Sequence, residues 1–410
     1  MVLRRFLAGS LILLPTKAKP LATIHVFNVG QGDTIAVELT AGDRLVVIDC
    51  NARSRSNPNG PAGLIGLLNK RSGGGRPDID LLCLSHPDWD HARGMYEVVE
   101  HVLKQGGEIR HFLTTGFTWK QIEADFLKRT GQVPIPVVNG ARFWQKLDTL
   151  IETLRKSNRT KDLRELGYGQ IPALKEFEIL SPSPQMLVVA ANRYLRALHR
   201  YAERYQGKPR PSTNEMSMAL LMCLTASRAL FAADLPLKAF ERMVCDYERI
   251  FKKKLAPSWI KLPHHGARGC SKSTPLTRWG SLWKKLCPTE PQAAGLHCVI
   301  SAGGQSKHHP SRDFLEPLRQ GLPGHRLYCT NKCLDCKSKT PAAAPPNVRP
   351  QLPVAVVHNL DEMKAQRRGS TKSIPYHGNM EFEFYGDGRI AVRTDHAPDP
   401  DCKWHEWNLD

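Results

Sequence analysis

The sequence predicts a mixed α/β fold. Short apolar or alternating runs, which are typical of strands, recur along the chain between segments with helical periodicity. One apolar run, residues 80–84, is followed at once by a loop rich in histidine and aspartate. Because α/β proteins place their chemistry in loops at the carboxyl ends of strands, this loop is a candidate functional site.

The individual elements follow from the same periodicities. Two pairs of runs predict hairpins, and Gly386-Asp387-Gly388 between the second pair is a tight-turn signal. Strands are predicted at residues 23–29, 34–39, 44–48, 80–84, 216–224, 228–233, 258–262, 298–301, 381–385 and 390–393. Helices are predicted at residues 62–70, from about residue 94, over much of 119–210, and at 236–253.

These elements are expected to form one domain over residues 23–395. Within it, residues 119–210 form a helical and basic insertion, and the Pro- and Ala-rich residues 338–352 form a loop. Residues 396–410 are expected to be a C-terminal tail.

The chain is strongly basic, with 58 Lys and Arg against 39 Asp and Glu and a net charge of +19. Positive potential attracts phosphate-bearing ligands, so the charge favours nucleic acid as a partner over a merely solubilising surface. In residues 193–205, arginines alternate with tyrosines, which indicates either an exposed amphipathic helix or a surface for a nucleic-acid strand. The residues are Arg193, Tyr194, Arg196, Arg200, Tyr201, Arg204 and Tyr205.

The 11 cysteines are an odd number in a long chain, which is not the pattern of a small disulfide-stabilised secreted protein. Reduced thiols in the cytoplasm are the simpler interpretation. Residues 1–22 carry two arginines followed by a short apolar run and resemble a weak signal peptide, so export is the alternative. The run is too short to span a membrane, and no stable membrane insertion is expected.

The loop after residues 80–84 reads His86-X-Asp88-X-Asp90-His91 and places four potential ligands within six residues. Alternating side chains after a strand can converge on one point. Imidazole and carboxylate together suit zinc or manganese better than calcium. The motif therefore predicts a divalent metal site.

This motif resembles that of the metallo-β-lactamase superfamily, in the form typical of the hydrolase domain of the competence protein ComEC and its stand-alone relatives. Further landmarks of that family occur in the expected order over residues 23–310. They are Val29-Gly-Gln-Gly-Asp33, Val46-Val-Ile-Asp49, Asn214-Glu-Met-Ser217, Asp234, Lys261-Leu-Pro-His-His-Gly266, Ser301-Ala-Gly-Gly and His309-Pro310.

The resemblance implies a four-layer αββα sandwich with two divalent ions, zinc or manganese, at one rim. His86 and Asp88 would hold the first ion, Asp90 and His91 the second, and Asp234 would bridge both. One of His264 and His265 would complete the second ion. Asp33, Asp49 and Asn214 would support the ligands by hydrogen bonds or act as weak ligands. Asp90 would orient the nucleophile, and His309 would face the substrate.

Three departures from the family pattern stand out. Asn214 occupies the position where many relatives have histidine, so the first ion is expected to bind less tightly. Ala233 precedes Asp234 where glycine is usual, and Gln305 stands where relatives often have asparagine.

A second cluster of potential ligands lies near the end of the chain. Cys329, Cys333 and Cys336, with Cys402 or His405, could bind a structural zinc, although the spacing is not a standard one. Free thiols in a loop are the alternative.

Together these features predict a two-metal hydrolase, most consistent with a phosphodiesterase or nuclease that acts on DNA through a hydroxide shared by the metals. One alternative is a hydrolase of small phosphodiesters, such as a cyclic nucleotide or a phosphocholine ester. The other is a metal-bound binding module with little turnover. The sequence leaves the oligomeric state open.

Overall fold

The computed structural model describes residues 18–52, 60–134, 137–138, 141–156, 169–204, 211–268, 277–301, 310–330 and 379–395. In these ranges the strands form two seven-stranded sheets. The strands are β1 (Ala22–Val26), β2 (Thr34–Leu39), β3 (Arg44–Cys50), β4 (Ile79–Cys83), β5 (Ile109–Leu113), β6 (Gly169–Ile171), β7 (Leu174–Ser181), β8 (Ala219–Cys223), β9 (Arg228–Phe231), β10 (Trp259–Lys261), β11 (His297–Ile300), β12 (Arg326–Cys329), β13 (Met380–Phe384) and β14 (Ile390–Thr394).

The two sheets have the orders β14-β13-β1-β2-β3-β4-β5 and β12-β11-β10-β9-β8-β7-β6. The predicted hairpins are confirmed, because β8 pairs with β9 and β13 with β14, both antiparallel. Strands β3, β4 and β5 run parallel, as do β9, β10, β11 and β12.

The helices of the described ranges have between 4 and 20 residues. They are α1 (Pro61–Ser72), α2 (Trp89–Ala92), α3 (Met95–Lys104), α4 (Trp119–Thr130), α5 (Ala141–Lys156), α6 (Pro184–Glu203), α7 (Leu237–Phe251), α8 (Thr277–Leu286), α9 (Glu290–Ala294) and α10 (Arg312–Gly321). Two 3₁₀ turns, Asn214–Met216 and Pro263–Gly266, adjoin the candidate site.

Alternation along β8 shows how the layers are built. Leu220 and Met222 face the core that the two sheets share, whereas Ala219 and Leu221 belong to a second core with the helices that cover β9–β11. Successive side chains of a strand point to opposite faces, so a strand that is apolar throughout serves both layers. The rings of Trp259 and Phe382, 5.7 Å apart, join the sheets directly.

Helices cover the outer face of each sheet. Apolar side chains of α1 and α3 pack into the core of the first sheet, and those of α7, α8 and α10 pack onto the second. The order of layers is therefore helix, sheet, sheet, helix, which is the αββα sandwich that the sequence predicts.

One prediction needs correction. Residues 119–210 are not helical throughout, because β6 and β7 lie between α5 and α6 and complete the second sheet. In β7 the apolar residues Leu174, Phe177 and Ile179 are buried and largely alternate with the more exposed Lys175 and Glu178, which is a strand period. The many basic residues of this segment, including the arginines of α6, favoured a single helical interpretation, so the change from helical to strand period was overlooked.

Several predicted features lie outside the described residues. They are most of the leader, the 338–352 loop, the 396–410 tail, Tyr205, Gln305, His309, Cys333, Cys336, Cys402 and His405. Their roles, the domain limits and the structural zinc remain predictions. Of its proposed ligands only Cys329 is described, half-buried at the end of β12. Within the described part of the chain, no helix has the length and apolarity needed to cross a membrane.

Candidate metal centre

The predicted ligand loop begins directly after β4 and ends in α2. His86 and His91 are fully buried, while Asp88, just before α2, and Asp90, in its first turn, are partly exposed. The opening turn packs against this loop: a Cβ on Gly32, whose φ is 108°, would lie 2.2 Å from the carbonyl oxygen of Asp90. Only glycine fits there.

Asp49 orients both histidines of the motif. Its Oδ2 accepts a hydrogen bond from His91 Nδ1 at 2.7 Å and one from Ser85 Oγ at 2.6 Å, and its Oδ1 accepts the Ser85 amide at 2.7 Å. Because Ser85 Oγ gives its proton to Asp49, it accepts from His86 Nδ1 at 3.0 Å. Both imidazoles thus carry the proton on Nδ1 and present the Nε2 lone pair to the site, as metal ligands require.

Asp234 lies at the centre of the site, and its two oxygens face different histidines. Oδ1 is 3.4 Å from His91 Nε2 and 3.3 Å from His265 Nε2. Oδ2 is 4.0 Å from His86 Nε2 and 3.9 Å from His264 Nε2. The structure brings all four imidazoles of the motifs around one carboxylate. We call the two groups the Oδ1 side and the Oδ2 side of Asp234.

The two adjacent histidines diverge from one turn. His264 (φ 50°) and His265 (φ 52°) both adopt the left-handed conformation, which is uncommon for residues other than glycine and is concentrated at functional sites. His265 Nε2 lies 3.8 Å from Asp90 Oδ2, on the same side as His91. Of the two histidines, His265 therefore fits the predicted second ion.

Two further polar residues, Thr213 and Asn214, form hydrogen bonds to candidate ligands. Thr213 Oγ1 donates to Asp88 Oδ1 at 2.5 Å, and Asp88 Oδ2 is 3.6 Å from His86 Nε2. Asn214 Nδ2 donates to His264 Nε2 at 3.1 Å. Asn214 thus lies beside the Oδ2 side of Asp234, next to an imidazole rather than in place of one.

Sequence reasoning gave Lys261 no role beyond its place in a family landmark. Its side chain is buried at the end of β10, and Nζ lies 2.9 Å from Oδ2 of Asp33, which is equally buried. Asp33 Oδ1 faces His265 Nδ1 at 3.7 Å. A lysine at the end of an apolar strand was the available signal, because a buried charge needs a partner.

The electrostatics favour a cation. Burial opposes ionisation of Asp234, yet the neighbouring histidines hold its pKa well below the ordinary value. Burial also opposes the charge of His91, but Asp234 and Asp49 raise the pKa of this imidazole well above its ordinary value. Burial lowers the pKa of His265 to about 3, which keeps this imidazole neutral. Burial also raises the pKa of Asp90, with Asp234 and Asp88 adding to the shift. Crowded carboxylates beside neutral imidazole are stabilised by a positive ion.

The donor atoms fit a metal. Among the described residues, His86 Nε2, His91 Nε2 and Asp234 Oδ1 are buried and have no hydrogen-bond partner. His86, His91 and Asp234 offer ligand atoms within 4.8 Å of one another, as do Asp90, His91 and His265. Nitrogen and carboxylate donors in such groups are typical of zinc and manganese sites.

Two clefts open beside this centre. A cleft of about 490 Å³ runs along α6 to the Oδ2 side, and one of about 430 Å³ lies over Asp88 and Asp90. The first is lined by Ala190, Arg193, Tyr194, Ala197, Arg200, Pro211–Met216, Pro236 and His264. The second is lined by Pro87–Asp90, Trp144, Tyr194, Pro211 and Ser212. Tyr194, Pro211 and Ser212 belong to both clefts, so the clefts are neighbours.

No protein-family model and no curated protein sequence matches this chain. Among solved structures it is similar to unliganded yeast PDE1, with a TM-score of 0.41 and 12% identity over 76% of this chain and 97% of that one. It is also similar to the metallo-β-lactamase-fold protein YhfI from Bacillus subtilis, with a TM-score of 0.35 and 9% identity over 75% of this chain and 95% of that one.

A third similar structure is Tm1679, described as a metal-dependent hydrolase of the β-lactamase superfamily, with a TM-score of 0.37 and 12% identity. The match covers 75% of this chain and 95% of Tm1679. The αββα layers of this chain and its ligand-bearing rim are those that the metallo-β-lactamase resemblance implies.

Proposed function

We propose that this protein is a two-metal phosphodiesterase that cleaves DNA. The observation that carries the proposal is the position of Asp234, whose two oxygens each face two imidazoles, with Asp88 and Asp90 at the flanks. One carboxylate between two groups of imidazole nitrogens can serve a pair of divalent ions.

The residues of the site would have separate roles in hydrolysis. Two bound divalent ions would polarise a phosphoryl oxygen and lower the pKa of a shared water. Asp90 is partly exposed at the floor of the cleft, so its carboxylate can hold and orient the attacking water. Asp49 fixes the proton on Nδ1 of His91 and, through Ser85, on Nδ1 of His86, which prevents either ring from turning its N–H toward the centre.

The cleft along α6 supports a polyanionic substrate. Arg193 and Arg200 lie on one face of the helix, two turns apart, and line the approach to the centre. Arg193 is 62% exposed and contacts Glu215 at 3.1 Å, a surface pair that a phosphate can displace. The net charge of +19 also attracts a polyanionic substrate.

The neighbouring cleft offers an apolar surface. The Trp89 ring is 45% exposed at the rim, and the guanidinium of Arg93 lies 5.3 Å from its centroid. Bases of a flexible strand stack on such rings, whereas a stiff duplex cannot present them. Single-stranded DNA is thus the form of substrate that the clefts favour.

A hydrolase of small phosphodiesters remains the second candidate. It would use the same ligands and need only the cleft over Asp88 and Asp90. A binding module with little turnover is less consistent with Asp90, which is a potential ligand open to a cleft.

The decisive experiment compares substrates at several salt concentrations. Purified protein, metal-free and then loaded with zinc or manganese, is tested on single-stranded DNA, double-stranded DNA, RNA and bis-p-nitrophenyl phosphate. Metal-dependent DNA cleavage and an affinity for DNA that falls steeply with salt are expected. Cleavage of the small ester alone, or an affinity for DNA that is flat with salt, would replace this proposal by the small-phosphodiester alternative.

A matched pair of variants tests the cleft. Arg193→Glu with Arg200→Glu should weaken DNA binding and reduce the slope of log affinity against log salt by roughly 1.4 for single-stranded DNA, because two phosphate contacts are lost. Hydrolysis of the small ester should fall far less. The control is Arg242→Glu with Arg249→Glu on the outer helix α7, where both arginines are exposed and share Asp246. Equal loss in both double variants would show a general charge effect rather than a substrate track.

A further inference from the structure

We infer that His264 is a direct ligand of the first metal ion and supplies the imidazole that Asn214 does not. This inference rests on the proposed metal centre but not on the identity of the substrate. In the pattern that the chain resembles, many relatives place a histidine at the position of Asn214. Here a histidine from the 3₁₀ turn that follows β10 reaches the same side of the site.

The geometry around Asp234 carries the inference. The nearest imidazole atoms to Oδ2 are Nε2 of His86 at 4.0 Å and Nε2 of His264 at 3.9 Å. Oδ1 has the equivalent pair, His91 and His265, at 3.4 and 3.3 Å. An ion on each oxygen would therefore meet two imidazoles and one flanking carboxylate, Asp88 on the Oδ2 side and Asp90 on the Oδ1 side.

The backbone explains how two adjacent residues serve two ions. With His264 at φ 50° and ψ 44° and His265 at φ 52° and ψ 28°, the turn directs the rings apart, with their centroids 6.5 Å from each other and their planes at 68°. The amide of His264 donates to the carbonyl of Ala233 at 2.9 Å, which holds this turn against the residue before Asp234. The turn thus places one ring beside each oxygen of the same carboxylate.

Asn214 is arranged to support His264 rather than to replace it. Its Nδ2 donates to His264 Nε2 at 3.1 Å, which holds that nitrogen near Oδ2 of Asp234, 3.9 Å away. Its Oδ1 contacts Ser212 Oγ, which occupies the oxygen that would otherwise be the amide's ligand atom. An ion on the Oδ2 side would take over the Nε2 lone pair, and an imidazole is a stronger ligand for zinc than a neutral amide.

The Oδ2 side and the Oδ1 side of Asp234 differ in solvent exposure. His264 is 27% exposed and lines the α6 cleft, whereas His265 is fully buried. The distances to Asp234 are also longer on the Oδ2 side. The first ion is thus expected to be the weaker and more readily exchanged one, even with His264 as its ligand.

The test measures metal binding and not turnover. The probe is cobalt(II), titrated calorimetrically into metal-free protein, with X-ray absorption to count imidazole ligands per ion. His264→Gly removes the ring at a backbone conformation that glycine adopts freely. His264→Asn, the next best residue in this conformation, is the second variant in case the first does not fold. His101→Ala, a histidine on the surface of α3 that contacts Asn69, is the control.

The wild type should bind two cobalt ions. His264→Gly should keep the tighter one and weaken the other by more than the ~10- to 100-fold that loss of a ligand's hydrogen-bond partner costs. His265→Gly should instead weaken the tighter ion. The double variant Asn214→His with His264→Gly should restore binding, because it returns the imidazole to the position that relatives use.

Wild-type cobalt affinities and an unchanged imidazole count in His264→Gly would overturn the inference. A change only in KM for the substrate would then assign His264 to substrate contact. These outcomes can be distinguished from those of the proposed function. Selective weakening of one cobalt ion in each single variant, together with no phosphodiester cleavage by the wild type, would leave the ligand assignment intact and remove the proposed activity.

Discussion

Lys261 and Asp33 form an ion pair beneath the metal centre, with Nζ 2.9 Å from Oδ2 and both side chains at most 2% exposed. Asp33 ends the opening turn of the first sheet, and Lys261 ends β10 of the second, so the pair joins the sheets at the rim that bears the ligands. Lys261 Nζ also donates to the carbonyl of Leu262 at 3.3 Å. Despite the cost of burial, Lys261 holds the pKa of Asp33 below its ordinary value.

Lys261→Met should destabilise the metal-free protein, because it leaves Asp33 as an uncompensated buried charge. Breaking a buried pair from one side costs about 3–5 kcal/mol, whereas an apolar replacement of both partners is often neutral. The double variant Lys261→Met with Asp33→Asn should therefore recover much of the loss. Denaturant unfolding in the presence of a chelator measures the free energy of unfolding of the single and the double variant. A single variant as stable as the wild type would contradict the structural role of the pair.

Asp49→Asn should weaken metal binding without removing a ligand. The amide retains the shape of the carboxylate but loses the charge that holds His91 at 2.7 Å and Ser85 Oγ at 2.6 Å. Loss of such a partner typically costs ~10- to 100-fold in metal affinity. Calorimetric titration with zinc measures this affinity. The control is Asp78→Asn, which loses charge in a carboxylate that accepts from the Glu108 amide at the opposite end of β4 from the motif. Equal affinities in the two variants would argue against a specific role for Asp49.

The sequence predicted the parts of the site that are local and left open those that depend on distant backbone. His86, Asp88, Asp90 and His91 fall within six residues after a strand, so their convergence follows from one loop. The division of His264 and His265 between the two oxygens of Asp234 depends on two left-handed residues, which no periodicity reveals. Strand β6 was missed for a related reason, since this three-residue strand is defined by its pairing with β7 more than by its own composition.

Ala233→Gly should stabilise the protein slightly. Ala233 has φ 46°, the conformation for which the family's usual glycine is suited. A left-handed residue other than glycine costs roughly 1–2 kcal/mol, and the greater freedom of glycine in the unfolded chain offsets about 0.5–1 kcal/mol of the relief. The expected gain is therefore of order 0–1.5 kcal/mol, measured by thermal unfolding of metal-free protein. A clear loss of stability would mean that the methyl group of Ala233, buried in the structure, contributes packing that outweighs the strain.

The stability of the protein should fall at alkaline pH through His25. Burial disfavours its charge, but Glu38 at 2.5 Å and Glu381 at 3.3 Å raise its pKa from 6.5 to about 9. A raised folded-state pKa means that the stabilisation is complete below pH 6.5 and is lost as the pH rises through about 9. The contribution is of order 1–3 kcal/mol. His25→Gln should remove this alkaline decline between pH 6.5 and 9, as read from unfolding free energies; a decline of unchanged size would place its origin elsewhere.

Asp90→Ala should abolish hydrolysis of every substrate that the wild type cleaves, while the fold is retained. The side chain is 33% exposed, so its removal opens no cavity in the core. It would, however, remove a ligand beside His265 and the carboxylate that orients the attacking water.

Glu100→Ala, which removes an exposed carboxylate paired with Lys104 on α3, is the matched control and should keep wild-type activity. Circular dichroism and thermal unfolding establish whether Asp90→Ala is folded, and initial rates at saturating zinc or manganese measure its activity. Asp234→Ala should be equally inactive but should also lose both ions, since both sides of the centre depend on its carboxylate. If Asp90→Ala retained full activity with both ions bound, the nucleophile would have to be oriented by another group, and Asp88, the other carboxylate in that cleft, would be the first residue to replace.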